Sequence, residues 1–104
     1  MTVDELANIL SKMLADNKGG YNVCVFYYDV GGYKIDDFNE ELYIEINQRY
    51  TDNNVITAKE LSGVIYQMVK DNKGNYEVAS DDFGDINDCE IDNSSKILQL
   101  KNCY

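Results

Sequence analysis

Between Glu77 and Asp92 the chain carries seven carboxylates, Glu77, Asp81, Asp82, Asp85, Asp88, Glu90 and Asp92, and no basic side chain. The matching stretch of the first half sets Asp29, Asp36, Asp37, Glu40, Glu41 and Glu45 against Lys34 alone. Groups of this kind support three sorts of chemistry. Two carboxyls whose pKa values are driven apart in a cleft serve as general acid and base. Several carboxylate and carbonyl oxygens at fixed spacing hold a divalent cation. An exposed array projects a negative field towards a basic partner. The first is poorly supplied, because the chain has no histidine to share the work. The second fails on spacing: an EF-hand loop alternates Asp or Asn with other residues before a glycine, and two positions after Asp71 or Asp81 stand Lys73 and Phe83. Charge presentation is the use that the pattern allows, although the same residues would also serve as solvated loops that keep sheet edges from aggregating.

Other reactive groups narrow the choice further. Cys24, Cys89 and Cys103 have no C-x-x-C spacing and no histidine to pair with, which argues against zinc and against a cysteine–histidine nucleophile. Neither a P-loop nor a G-x-G-x-x-G pattern is present, so no cofactor is expected and the protein is read as a non-enzyme. Nineteen acidic residues against nine basic ones, a formal charge of −10, disfavour direct binding to nucleic acid. There is no basic and apolar leader after Met1, and no apolar run long enough to span a bilayer. With no disulfide pattern, a reducing cytoplasm is the expected location.

The elements that must position these groups come from a duplication. Thr2 to Val23 and Thr57 to Val78 align without a gap at an offset of 55 residues, and ten of the 22 positions are identical. Each copy opens with T-x-x-E, a capping box, preceded by Met1 or Ile56 as a hydrophobic staple. Leu6, Ile9, Leu10, Met13 and Leu14 then form an apolar helical stripe, repeated as Leu61, Val64, Ile65, Met68 and Val69. Both helices are expected to end at D-N-K-G, with Gly19 and Gly74 in the left-handed position. Tyr21 to Tyr28 alternates as a strand with an apolar second face at Cys24, Phe26 and Tyr28; Gly31-Gly32 reads as a hairpin turn, and Leu42 to Ile46 as a third strand. In the second copy Tyr76 to Ala79 is a strand, Ile86 to Cys89 echoes Ile35 to Phe38, and Lys96 to Leu100 matches Leu42 to Ile46.

With residues 47–56 as linker, the reading is an α+β fold: one domain, 1–104, of two repeats (1–49 and 50–104). It is an (αβββ)2 pseudo-dimer with two amphipathic helices on one face of a mainly antiparallel sheet of about six strands. Half-chains this short lie near the lower limit for folding alone, so one shared core is expected. Asp81, Asp82, Asp85, Asp88, Glu90 and Asp92, with Asp36, Asp37, Glu40 and Glu41, are the candidate partner-binding residues; the partner would be the basic surface of another protein. Tyr21 and Tyr76 are expected in the core. Tyr27, Tyr28, Tyr33, Tyr43, Tyr50 and Tyr104 are too many to bury, and tyrosine favours interfaces. A second reading makes Cys24, Phe26 and Tyr28 the contact face of a homo-oligomer, and a third makes the chain a sponge for a signalling nucleotide.

The opening T-V-D-E-L, the amphipathic helix, the strand with its glycine hairpin and the I-D-D element resemble short proteins encoded by phages and mobile elements of Firmicutes, in which the unit usually occurs once. In general character the chain is also similar to anti-CRISPR and other phage anti-defence proteins. That resemblance implies an inhibitor of a host nucleic-acid-binding defence enzyme, acting as a nucleic-acid mimic through an acidic face.

Overall fold

Thr2 and Thr57 start the two helices in the same way. The hydroxyl of each accepts the N–H of the glutamate three residues on, and that carboxylate accepts the threonine N–H, at 3.2 and 3.3 Å in the two copies. In the computed structural model, which describes residues 1–46, 55–81 and 83–102, helices α1 (Val3–Ala15) and α2 (Ala58–Lys70) follow as the stripe predicts. Leu6, Leu10 and Met13 of α1 and Leu61, Ile65 and Met68 of α2 are fully buried, while Leu14 and Val69 at the margin of the stripe remain partly exposed. Both helices close with two backward hydrogen bonds, Asn17 N to Leu14 O and Lys18 N to Met13 O, then Asn72 N to Val69 O and Lys73 N to Met68 O.

The glycine after each helix has a different task from the one expected. Asn17 (φ 60°) and Asn72 (φ 61°) occupy the left-handed position. Gly19 and Gly74 instead let the opposite helix come close: Gly19 O accepts the N–H of Lys59 at 2.9 Å, and Gly74 O accepts that of Asp4 at 2.8 Å. A Cβ on Gly19 would sit 2.8 Å from Leu14 and 3.3 Å from Lys59, and one on Gly74 would run into the Asp4 carboxylate. The first turn of each helix thus rests on the loop that ends the other. Further bonds cross the same way: Val3 N to Tyr76 O and Ala58 N to Tyr21 O, Val78 N to Met1 O and Val23 N to Ile56 O.

The strand expected over Tyr21 to Tyr28 divides in two. Strand β1 (Asn22–Val25) ends where Val25 pairs with Tyr28, the first residue of β2 (Tyr28–Asp36), so the hairpin turn is Phe26-Tyr27. Both have positive φ, 47° and 69°, as a type I′ turn requires; a non-glycine residue held there costs roughly 1–2 kcal/mol. Gly31-Gly32 is not a turn. It lies inside β2, where the register against β3 (Glu41–Ile46) shifts between Val30 and Gly32.

In the second half, β4 (Glu77–Ser80) pairs with β5 (Gly84–Asp85), and β6 (Asp88–Asp92) with β7 (Ile97–Lys101). The expected echo of Ile35 at Ile86 gives way to Ile91-Asp92, which pair with Leu98 and Ile97 as Ile35 and Asp36 pair with Leu42 and Glu41. Lys96 likewise precedes the strand that matches β3, so the equivalence is Leu42 with Leu98.

The fold is α+β, with a seven-stranded mixed sheet in the order β5-β4-β3-β2-β1-β7-β6. Four neighbouring pairs are antiparallel, while β1 with β7 and β3 with β4 run parallel. The two ends of that order, β5 and β6, are joined by Ile86 and Asn87 alone, so they lie within about 11 Å of each other. Ile86 N bonds to Val78 O of β4 and Asn87 N to Lys101 O of β7, which draws the ends together and curls the sheet. The helical stripes share one core with Val23, Val25, Val30, Leu42, Ile44, Val78, Ile86, Leu98 and Leu100. Full burial of each large side chain contributes about 1.5–3 kcal/mol. Tyr76 is buried among them, whereas Tyr21 is only partly covered. Asp82, Tyr50, Cys103, Tyr104 and the linker residues 47–54 lie outside the described residues. Among the described residues, no helix is long and apolar enough to cross a membrane.

Candidate acidic interface

Leu42 and Ile44 point into the core, so Glu41, Tyr43 and Glu45 between and beyond them face outward. Cross-strand register carries this outward face across the sheet. One row runs Asp85, Ala79, Tyr43, Lys34; the next runs Glu77, Glu41, Asp36. Carboxylates of both halves therefore meet around Tyr43. Its phenol is pushed above the ordinary tyrosine value, first by a hydrogen bond to Glu41 and further by the charges of Asp36 and Asp85. Lys34 is the one base in these two rows.

The corresponding rows on the other side of the sheet are Asp29, Cys24, Gln99, Glu90 and Asn22, Ile97, Asp92. They hold three carboxylates against four, and Lys101 neutralises Glu90 at 2.9 Å. Burial, and then the neighbouring Asp29, push the Cys24 thiol up to about 11. Cys24 is 3% exposed, so it is not available to a partner surface. That corrects its place in the expected contact face; Phe26 and Tyr28 are exposed, at the turn rather than on a flat strand.

Several predicted partner-binding residues also have work within the fold. Asp36 accepts the N–H groups of Phe38 and Asn39 and the Asn39 amide, which holds its carboxyl below the ordinary value. Asp92 does the same for Ser95 and Ser94. Each pins the tight turn into the next strand, which closes through Glu40 or Lys96 at φ 55°. Asp37 accepts from Lys73 at 2.9 Å and from the Tyr76 hydroxyl at 2.8 Å; Lys73 foremost, then Tyr76, lowers its pKa, while Asp37 raises both of theirs. The Tyr21 hydroxyl makes the matching bond to Asn93 at 2.9 Å. Glu40 accepts from Asn75, Asp81 from the Ser80 hydroxyl, and Asp88 from the Cys89 N–H. Glu41 and Asp85 lie at the Tyr43 cluster, and Asp82 falls outside the described residues.

The register brings Glu77, Glu45 and Tyr43 into the outward cluster; the sequence marks the two glutamates as part of the acidic stretches and Tyr43 as a surplus tyrosine, but no local signal shows that they meet. The parallel pairing of β3 with β4 alone brings Glu41 beside Glu77. No group of three or more His, Cys, Asp or Glu among the described residues is placed to hold a metal ion. No protein-family model, curated protein or solved structure matches this chain.

Proposed function

We propose that this chain is a non-enzymatic acidic binding protein, an inhibitor of phage or mobile-element origin that sets its outward carboxylates against the basic nucleic-acid site of a host defence enzyme. The observation that carries this reading is the meeting of Asp36, Glu41, Glu77 and Asp85 around Tyr43, with Lys34 the one basic side chain in their rows and the Met1 ammonium 3.4 Å from Glu77. Carboxylates on neighbouring strands resemble the close phosphate spacing that a basic groove is built to receive. A duplicated (αβββ)2 pseudo-dimer with both helices on one sheet face is part of the proposal. It is supported by the matching caps, the reciprocal Gly19–Lys59 and Gly74–Asp4 bonds, and the Tyr21–Asn93 and Tyr76–Asp37 pairs.

The test neutralises only carboxylates without a turn-pinning task, as Glu41→Gln, Glu45→Gln, Glu77→Gln and Asp85→Asn together. The wild-type chain should capture nucleic-acid-binding proteins from a lysate carrying defence systems, in competition with added DNA and weakening steeply with salt. The fourfold variant should lose that capture while keeping its circular dichroism spectrum. Equal capture by both would overturn the mechanism.

A further inference from the structure

Two hairpin tips meet on this molecule. Phe26, in the β1–β2 turn, lies with its ring centroid 4.9 Å from that of Phe83, which precedes β5, and Tyr28 stands 5.7 Å from the same ring. Tyr27 projects beside them, 80% exposed. Packing accounts for Phe26 and Tyr28, which rest on Phe83 and through it on the core, but gives no reason for Tyr27. Asn-Gly would form the same turn without forcing aromatic residues into left-handed backbone, and Tyr27 recovers little by packing. The turn is nonetheless held firmly: the Tyr27 N–H donates to Gln99 Oε1 at 3.0 Å, and the Phe26 N–H to Leu100 O at 3.3 Å. Since a backbone N–H can only donate, the Gln99 amide must present its oxygen here, and its Nε2 is left buried without a hydrogen-bond partner among the described residues. A buried amide is thus committed to fixing an exposed aromatic projection.

The charge around the tip indicates what it meets. Asp29 follows Tyr28, Asp81 and Asp85 lie two residues either side of Phe83, and neither segment 22–33 nor segment 74–95 contains a lysine or arginine. The geometry points to an aromatic anchor: Phe26, Tyr27, Tyr28 and Phe83 seat in an apolar pocket rimmed by basic side chains on a partner protein, the carboxylates pairing with that rim. This rests on the reading above that the partner is basic, and adds that recognition is not electrostatic alone. A rigid aromatic centre inside a charged rim is the arrangement in which a few residues dominate affinity.

Two synthetic peptides of equal positive charge, an alternating leucine–lysine peptide and oligolysine, separate the contributions when titrated against the full chain by calorimetry. The leucine–lysine peptide should bind about tenfold more tightly or better, a difference of about 1.4 kcal/mol, and its amide shifts should centre on residues 26–28 and 83. Tyr27→Gly removes the exposed ring and the backbone strain together, so it should fold at least as well by circular dichroism. It should also bring the two peptides within about twofold of each other. Equal binding of both peptides to the wild-type chain would overturn the anchor while leaving the acidic interface standing, as would a preference that survives Tyr27→Gly. Binding of neither peptide would overturn both. A dimer by light scattering that Tyr27→Gly dissolves would also overturn the anchor, since a second copy would then occupy the tip.

Discussion

Asp37 shows how much a single carboxylate can be asked to do. It was legible as part of an acidic run, but its partners Lys73 and Tyr76 lie more than thirty positions away, and nothing local announces the clasp. The sign of its contribution follows from the shifts. Its folded-state pKa is depressed, so its stabilisation is present above the unfolded carboxylate value of about 4 and is lost as pH falls through the lower folded value. Lys73 and Tyr76 are raised, so their share is complete below their unfolded values and fades only as alkaline pH passes the folded ones. Asp37→Asn retains an acceptor for Tyr76, as Asn93 provides for Tyr21, but removes the ion pair. In urea titrations the variant should be slightly less stable than wild type at neutral pH, and the gap should close in acid as wild-type Asp37 protonates. A gap independent of pH would remove the ion pair from the account.

At the level of elements, the helices were readable almost to the residue, because a capping box and a one-sided stripe are both local signals. The hairpin was not. Gly31-Gly32 offered the stronger turn composition, yet the chain reverses at Phe26-Tyr27, whose side chains favour strands. Pairing across the sheet prevailed over local preference there, and the flexible glycines went to a register shift instead. Glycine placement gives a prediction of opposite signs. Gly63, exposed within α2 with nothing near its Cβ position, should gain about 0.5–1 kcal/mol of stability on replacement by Ala. Gly74→Ala must push the Asp4 carboxylate aside at the start of α1, and should lower the midpoint of thermal unfolding. If both substitutions stabilise, the docking of each helix start on the opposite loop is looser than described.

For the molecule as a whole, the acidic composition and the duplicated segments were visible in the sequence, but the parallel β3–β4 pair that brings Glu41 beside Glu77 joins strands from different halves. Such contacts are set by the order of strands in the curled sheet, which no window of the sequence contains. The same topology makes opening a collective event, since the bonds from Val3 to Tyr76 and from Ala58 to Tyr21 tie each half to the other. Cys24 sits within that body, 3% exposed and with its thiol pushed up to about 11, so it is scarcely nucleophilic until the body comes apart. In a background where Cys89 and Cys103 are replaced by serine, the remaining thiol becomes a built-in stopwatch. The pace at which an alkylating reagent consumes it should plateau at high reagent concentration, and that ceiling is the rate at which the native body opens.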